Sequence, residues 1–238
     1  MEEKSKTTIS CLIPTYNEEL RIGDVLKVLS SLPAQFFCEI LVIDDGSTDE
    51  TREIVKTFES VTLLENKVNC GKSNAVAKGI RSAKGDLIFM CDGDLIGLKQ
   101  KTITDLISPV SNGFVDISIS YRDNTAEWWM KLFLVETFSG ERCFYKNFLS
   151  NQVSKISELP GYGLEVFMND LIIKQNLSIA SVHMEKVTID YKWHKHGLVR
   201  GVWRELLMWK QIFSIISPFR LAVQVYRMKK LVKIIVSP

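Results

Sequence analysis

From Ile9 to Val110 the chain alternates short, nearly continuous apolar runs with stretches whose apolar residues recur at helical spacing, and few folds accept that alternation. Ile9-Ser10-Cys11-Leu12-Ile13 reads as a strand stopped by Pro14. Ile22, Val25, Leu26 and Leu29 then fall at i, i+3, i+4 and i+7, one face of a helix. Glu39 to Ile43 is apolar almost throughout, as a strand covered on both faces must be. Ser47 and Glu50 form a capping box ahead of a helix carrying Ile54, Val55 and Phe58 inward. Val61 to Leu64 is a short strand, Ala75 to Ala83 is helical and closed by Gly85, and Asp86 to Cys91 is another buried strand. Ile103, Leu106, Ile107 and Val110 restore the helical spacing. This order predicts an α/β fold: one Rossmann-like, mostly parallel sheet flanked by helices on both faces.

Beyond Val115 the pattern loosens. Val115 to Tyr121 is strand-like, Trp128 to Phe138 is an aromatic-rich helical segment, Leu164, Phe167, Met168 and Leu171 mark a helix, and a strand lies around Ile179 to Val182. The last forty or so residues differ in charge: Arg200, Arg204, Lys210, Arg220, Arg227, Lys229, Lys230 and Lys233 face Glu205 as the one acid. The expected division is therefore a catalytic domain over 1–197 and a basic, amphipathic helical C-terminal extension over 198–238. Val199, Val202, Trp203, Leu206 and Phe213 make one apolar stripe, with Arg200, Arg204 and Gln211 opposite. After the Ser217-Pro218 break, Leu221, Val225, Met228, Val232 and Ile235 make a second stripe. Basic helices with aromatic residues on the apolar side suit an anionic membrane surface. The competing expectation is that both stripes pack on the domain, or on a second subunit in a homodimer.

Several classes fall away. Thirty Lys and Arg against 28 Asp and Glu give a net charge of +2, with no global field for nucleic acid. No apolar run reaches the roughly 18 residues a membrane span needs. Met1 to Thr7 is polar and has no secretory character, so the expectation is a cytoplasmic protein, peripheral on the cytoplasmic face of a membrane. Cys11, Cys38, Cys70, Cys91 and Cys143 are odd in number and widely spaced, which fits core residues in a reducing compartment and no zinc site. A dehydrogenase's G-x-G-x-x-G and a hydrolase's G-x-S-x-G are absent, and Gly71-Lys72-Ser73 lacks the earlier P-loop glycine because position 66 is Asn66.

In open parallel sheets ligands bind beyond the carboxyl ends of the strands. Three predicted strands end there in polar residues: Pro14-Thr15-Tyr16-Asn17-Glu18, Asp44-Asp45-Gly46-Ser47 and Asp92-Gly93-Asp94. The last places two carboxylates one residue apart in a glycine turn. Such a pair suits Mg²⁺ or Mn²⁺, which one or two carboxylates commonly join to substrate phosphates. Alone, the same tripeptide also reads as a capped turn with solvated acids.

The order PTYNEE, VIDDGSTD, N-x-GKSNA and DGD, from about Ile9 to Leu95, resembles the family 2 glycosyltransferases, nucleotide-sugar-dependent enzymes of the GT-A fold that include the polyprenyl-phosphate sugar synthases. The resemblance implies that Pro14, Tyr16 and Glu18 lie along the nucleotide and that Asp45 takes the base's ring N–H, with Asp44 orienting the loop or capping a turn. Asn69, Gly71 and Lys72 match a further motif, in which Lys72 faces phosphate. Asp94 matches the direct metal ligand, and Asp92, next to Gly93, touches ribose or metal-bound water. Ser139-Gly140-Glu141-Arg142 and Gly161-Tyr162-Gly163-Leu164-Glu165 resemble later family segments. They imply Arg142 as a fork for phosphate or carboxylate and Glu165 as a base or a holder of sugar hydroxyls. The family's late histidine ligand is not where it is expected, near Ile189 and Asp190; His183 lies nearby, and His194 and His196 are weaker substitutes. The implied activity is a metal-dependent, inverting transfer from a nucleoside-diphosphate sugar to a lipid-linked acceptor, a polyprenyl phosphate or glycolipid. The alternatives are a small soluble acceptor and a non-catalytic sugar-nucleotide-binding scaffold.

Overall fold

The computed structural model describes residues 7–122, 138–189 and 209–236. Its strands are β1 (Ile9–Thr15), β2 (Glu39–Asp44), β3 (Val61–Glu65), β4 (Leu87–Met90), β5 (Leu95–Ile96), β6 (Ile117–Tyr121), β7 (Arg142–Tyr145), β8 (Ile179–His183), β9 (Thr188–Ile189) and β10 (Val232–Val236). Its helices are α1 (Ile22–Ser30), α2 (Thr51–Lys56), α3 (Lys72–Ser82), α4 (Gln100–Ser111), α5 (Asn147–Ser150), α6 (Val153–Ile156), α7 (Gly163–Gln175) and α8 (Pro218–Leu231), with a further unlabelled helical stretch over 209–215. Eight strands form one sheet in the order β10-β8-β6-β7-β4-β1-β2-β3, and β5 pairs with β9 beside it. All neighbours in the main sheet are parallel except β7, which runs antiparallel to β4 and β6.

Alternation along the central strands builds two apolar layers. Ile9, Cys11 and Ile13 of β1, with Leu87 and Phe89 of β4, join Val25, Leu26 and Leu29 of α1 and Leu106 and Val110 of α4. Leu12, Ile88 and Met90 face the other way, onto Val76 and Ile80 of α3 and Leu164 and Met168 of α7. β1 is bonded to β2 on one side and to β4 on the other, so the winding direction reverses at β1. A crevice opens at the carboxyl ends of the strands at such a point. Because β7 is antiparallel, its first residue, Arg142, comes to this same edge, paired with Met90 and Ile119.

Local expectations shift in three places. The Ser47–Glu50 capping box does not form: α2 begins at Thr51, and the Ser47 hydroxyl instead accepts from the Asn17 backbone N–H at 2.9 Å. α3 starts at Lys72, three residues before the apolar spacing announces it. Residues 123–137 and 190–208, with most of the aromatic segment, Val199, Val202, Trp203 and Leu206 of the first C-terminal stripe, His194 and His196, lie outside the described residues, whereas Phe213 of that stripe is described and exposed.

The second C-terminal stripe is resolved, and it changes character at Leu231. Leu221, Val225 and Met228 of α8 are buried, but Val232 to Val236 leave the helix and join β8 in parallel as an edge strand. The sequence Val-Lys-Ile-Ile-Val is β-branched and alternates inward and outward, which suits an open sheet edge better than another helical turn. Residues 218–236 of the expected 198–238 extension thus pack into the domain. Met228 shares a core with Leu12 and Ile88, and β10 completes the domain's own sheet.

Met228→Ala should therefore destabilise the whole domain by about 2–5 kcal/mol, the usual cost of truncating a buried Met. Thermal or urea unfolding followed by circular dichroism measures it; an unchanged transition would mean that α8 is not part of the core.

Candidate active site

The loops after β1 and β2 are laced together by polar contacts. Asn17, at φ 56°, receives Thr48 N–H on its side-chain oxygen at 2.8 Å. Glu18 N–H donates to Thr51 Oγ1 at 2.8 Å, and Glu19 N–H to Asp49 Oδ2 at 3.2 Å. These bonds fix the Pro14–Glu18 segment in place, with Pro14 half-buried in β1 and the Tyr16 ring exposed at the edge.

The two acids at the end of β2 divide their work. Asp44 is fully buried and accepts from Arg52 Nε at 2.6 Å and from the backbone N–H groups of Gly46 and Ser47, so it is a turn-forming residue. Asp45 Oδ1 accepts from Asn66 Nδ2 at 2.9 Å and from Cys70 N–H at 3.0 Å, while Oδ2 accepts from Gly71 N–H at 2.7 Å. A carboxylate has about four acceptor positions, and three of these are used. What the geometry gives Asp45 is the holding of the 66–71 loop. That loop turns into α3 through Gly71 at φ +92°, a backbone state side chains resist.

This turn delivers Lys72. Its Nζ lies 2.9 Å from Asp92 Oδ1 and 3.3 Å from Glu165 Oε1, joining the start of α3, the loop after β4 and the first turn of α7. Burial opposes the ammonium, but Asp92 and Glu165 more than offset it and raise the Lys72 pKa. Burial likewise pushes the Asp92 carboxyl up, yet Lys72 outweighs it and leaves Asp92 below the usual range. Glu165 is 4% exposed, and its Oε2 is buried with no hydrogen-bond partner among the described residues. Gly140 closes over the pair: a Cβ there would sit 2.5 Å from Asp92 Oδ2 and 2.8 Å from Lys72 Nζ. Gly93 serves packing instead, since a Cβ would meet Thr15 Cγ2 at 2.5 Å.

Arg142 corrects the expectation that it offers a fork to substrate. Its side chain is fully buried, with Nε donating to Ser139 O at 3.0 Å and Nη1 to Asn169 Oδ1 at 2.9 Å. Burial lowers its pKa to about 10, against the pull of Glu165 and Glu141. The guanidinium at the rim is Arg122, just past β6, ion-paired with Glu141. Glu141 is itself buried and accepts from Ser120 Oγ and Ser139 Oγ, both at 2.8 Å. Burial works against the Arg122 charge, but Glu141, Asp92 and Asp94 prevail and raise its pKa. Sequence reasoning passed over Arg122 and Glu141. Arg122 is a fourth polar strand ending on the same edge, and Glu141 occupies the unspecified position of S-G-x-R. His183 ends β8 and stacks on Tyr121 with ring centroids 4.9 Å apart.

Asp94 is the exception to this pairing. Among the described residues it makes no hydrogen bond or ion pair, and burial first, then the Asp92 and Glu141 carboxylates, push its pKa up to about 6. Negative charge is thus in excess at Asp94, which is the condition a divalent cation relieves. No group of three or more His, Cys, Asp or Glu among the described residues could hold a metal ion unaided. Asp94 and Asp92 therefore fit an ion that takes its remaining oxygen ligands from a bound substrate.

The chain is similar to known proteins in sequence and in fold. The sequence profile of Glycosyl transferase family 2 matches residues 10–162. A dolichyl-phosphate beta-glucosyltransferase of Trichomonas vaginalis is 35% identical over 97 residues, covering 36% of this chain and 30% of that protein. Its counterpart in Dictyostelium discoideum is 26% identical over 183 residues, 70% of this chain and 50% of that protein. The chain thus spans half or less of the length of these relatives. Among solved structures, glucosyl-3-phosphoglycerate synthase from Mycobacterium tuberculosis in complex with Mn²⁺ and uridine-diphosphate-glucose superimposes with a TM-score of 0.72 at 22% identity, over 91% of this chain and 79% of that one, a likeness of fold.

The state of Asp94 has two measurable consequences. Mn²⁺ affinity, followed by calorimetry, should fall as the pH drops through about 6, because the ion must then displace a proton. The stability sign is the reverse of the usual carboxylate. Asp94 favours the fold below its ordinary pKa of 3.8, and that contribution is lost as pH rises through about 6, on the order of 2–3 kcal/mol. Asp94→Asn should accordingly raise the melting temperature of the metal-free protein at pH 7 while removing its Mn²⁺ response. A lowered metal-free melting temperature would contradict the excess of charge.

Proposed function

The chain belongs to glycosyl transferase family 2, and on that premise we propose that it is a metal-dependent, inverting transferase moving a sugar from a nucleoside-diphosphate sugar to a lipid-linked acceptor, a polyprenyl phosphate. The observation that carries this reading is the meeting of Lys72, Asp92 and Glu165 at the carboxyl edge, with Asp94 beside them unpaired. Mn²⁺ and uridine-diphosphate-glucose in the structural neighbour support the donor class and the metal. The two dolichyl-phosphate relatives support the acceptor.

Each residue has a separable task. The Pro14–Glu18 segment, fixed by the bonds from Asn17 and Glu18, borders the nucleotide, with the exposed Tyr16 ring as a surface for it. Asp45 holds the 66–71 loop so that Lys72 reaches Asp92. Asp94 and Asp92 would hold the divalent ion, which when bound supplies positive charge to the departing diphosphate. Lys72 keeps Asp92 and Glu165 at fixed separation although both are acids. The acceptor oxygen attacks the anomeric carbon opposite the diphosphate, which leaves with the bonding electron pair. Asp94→Asn, or EDTA treatment of the wild-type protein, should abolish transfer of radiolabelled sugar; full activity in either case would remove the metal from the reading.

A second reading, a hydroxyl on a soluble acceptor, is favoured by one observation: the buried Oε2 of Glu165, which has no hydrogen-bond partner among the described residues. A phosphate acceptor is already anionic and needs no base, whereas a hydroxyl does. With a hydroxyl acceptor, Glu165→Gln should cut kcat by roughly 10²–10⁴. With a polyprenyl phosphate the same change should cost far less. Steady-state kinetics on the two acceptor types separates them. Intact Asp92 and Asp94 weigh against a non-catalytic scaffold of this fold, and sugar transfer above background would exclude it.

A further inference from the structure

Among the described residues, the second C-terminal stripe turns inward onto the domain, which leaves the outward side of α8 as a separate face. α8 has two unlike sides. Gln224, Met228, Leu221 and Val225 occupy the side packed on the domain. Helical geometry puts Phe219, Tyr226 and Lys230 at the centre of the opposite side, since positions seven and eleven apart nearly coincide at 3.6 residues per turn. Phe219 is 78% exposed and Tyr226 59% exposed, unusual for rings with a core beside them. Lys229 flanks this pair on one side and Arg227 and Arg220 on the other, all exposed. Lys230 Nζ lies 4.5 Å from the Tyr226 ring centroid.

Charge makes the face one-signed. Over residues 209–236 there are six exposed basic side chains and no Asp or Glu. Among the described residues, Asp170 of α7 reaches the rim, 3.9 Å from Arg220. We propose that this outer face of α8 docks on an anionic lipid bilayer, with Phe219 and Tyr226 entering the interface and Arg220, Arg227, Lys229 and Lys230 meeting lipid headgroups. Aromatic rings centred between cations match a helix lying in the plane of an interface, and each nearby cation adds to the attraction. A nucleic-acid duplex would use the charges but leave the two rings without a purpose along its phosphate backbone. No described helix is long and apolar enough to cross a membrane, and this mode of attachment needs none. It is independent of which acceptor is used at the strand edge.

Co-sedimentation of the full chain with vesicles tests it without any activity assay. Binding should occur to vesicles containing about 30% phosphatidylserine and be far weaker on phosphatidylcholine alone, and it should fall as salt rises above about 0.1 M. Arg227→Glu combined with Lys230→Glu should weaken binding at least about tenfold. Phe219→Ser combined with Tyr226→Ser should weaken it about tenfold even with every charge kept. Lys56→Glu on α2, beside the opposite edge strand, should leave it unchanged. The α8 variants should keep the wild-type melting temperature, because the residues changed are exposed. Absent vesicle binding, equal binding to neutral vesicles, or unchanged binding by the α8 variants would overturn the proposal. So would binding of duplex DNA in place of vesicles, or self-association through this face in sedimentation velocity.

Discussion

Lys72 is where the site is held together. It begins α3, Asp92 follows β4 and Glu165 opens α7, so one ammonium ties three elements distant in the chain to a single point. Without it, two carboxylates at a partly desolvated edge would repel, since charges interact several times more strongly there than in water. Its placement is itself determined by contacts further back. Asp45 binds the Cys70 and Gly71 N–H groups, Gly71 takes a backbone angle open to glycine, and α3 starts at the next residue. Gly140 then approaches so closely that no side chain fits between it and the ion pair. Geometry at Asp92 therefore depends on residues from the ends of β2, β4 and β7 together.

The antiparallel strand β7 explains how the last of these arrives. In a purely parallel sheet only strand ends reach the binding edge. β7 brings its beginning there instead, and with it Ser139, Gly140, Glu141 and Arg142. Two of the four build downward. Arg142 is consumed by Ser139 O and Asn169 beneath the site, and Glu141 is consumed by Ser120, Ser139 and Arg122. The buried Glu141–Arg122 pair is weak evidence for stability, because desolvation offsets much of its attraction. What it does accomplish is to fix a guanidinium beside Asp92 and Asp94, where its charge is felt by both.

The sheet's first half was legible in the sequence because β1, β2 and β4 are covered on both faces, and such strands must be apolar throughout. The polar endings at Tyr16, Asp45 and Asp92 were legible for the same reason: the abrupt change from apolar to polar marks where each strand leaves the core. Roles within those endings were less so. Whether Asp45 faces a ligand or a loop depends on the path of residues 66–71, which periodicity does not describe. Arg142 was expected in the site through the resemblance of Ser139-Gly140-Glu141-Arg142 to a family segment, and its complete burial is visible only once the strands are assembled. At the C-terminus, four-three spacing fits Leu221, Val225 and Met228 as a helix, and it runs on through Val232 into a segment whose alternation belongs to a strand. Spacing picked out the Leu221, Val225 and Met228 side of α8, but it could not say whether that side meets the domain or a membrane.

The distribution of charge at the edge singles out one place for a ligand. Asp92 and Glu165 share Lys72, and Glu141 has Arg122. Arg142 lies below, close enough to feel Glu165 and Glu141. Asp94 is the remaining carboxylate, and it has no such partner among the described residues. Folding gains nothing from a partly buried acid whose neighbours are also acids; the raised pKa records an unfavourable position. A protein retains an arrangement that opposes its own stability where binding offsets the cost, and the excess charge of Asp94 is offset by whatever positive charge arrives with the donor. The fixed cations complete the three neighbouring acids and leave that one open, as the proposed binding of a cation in company with phosphate requires.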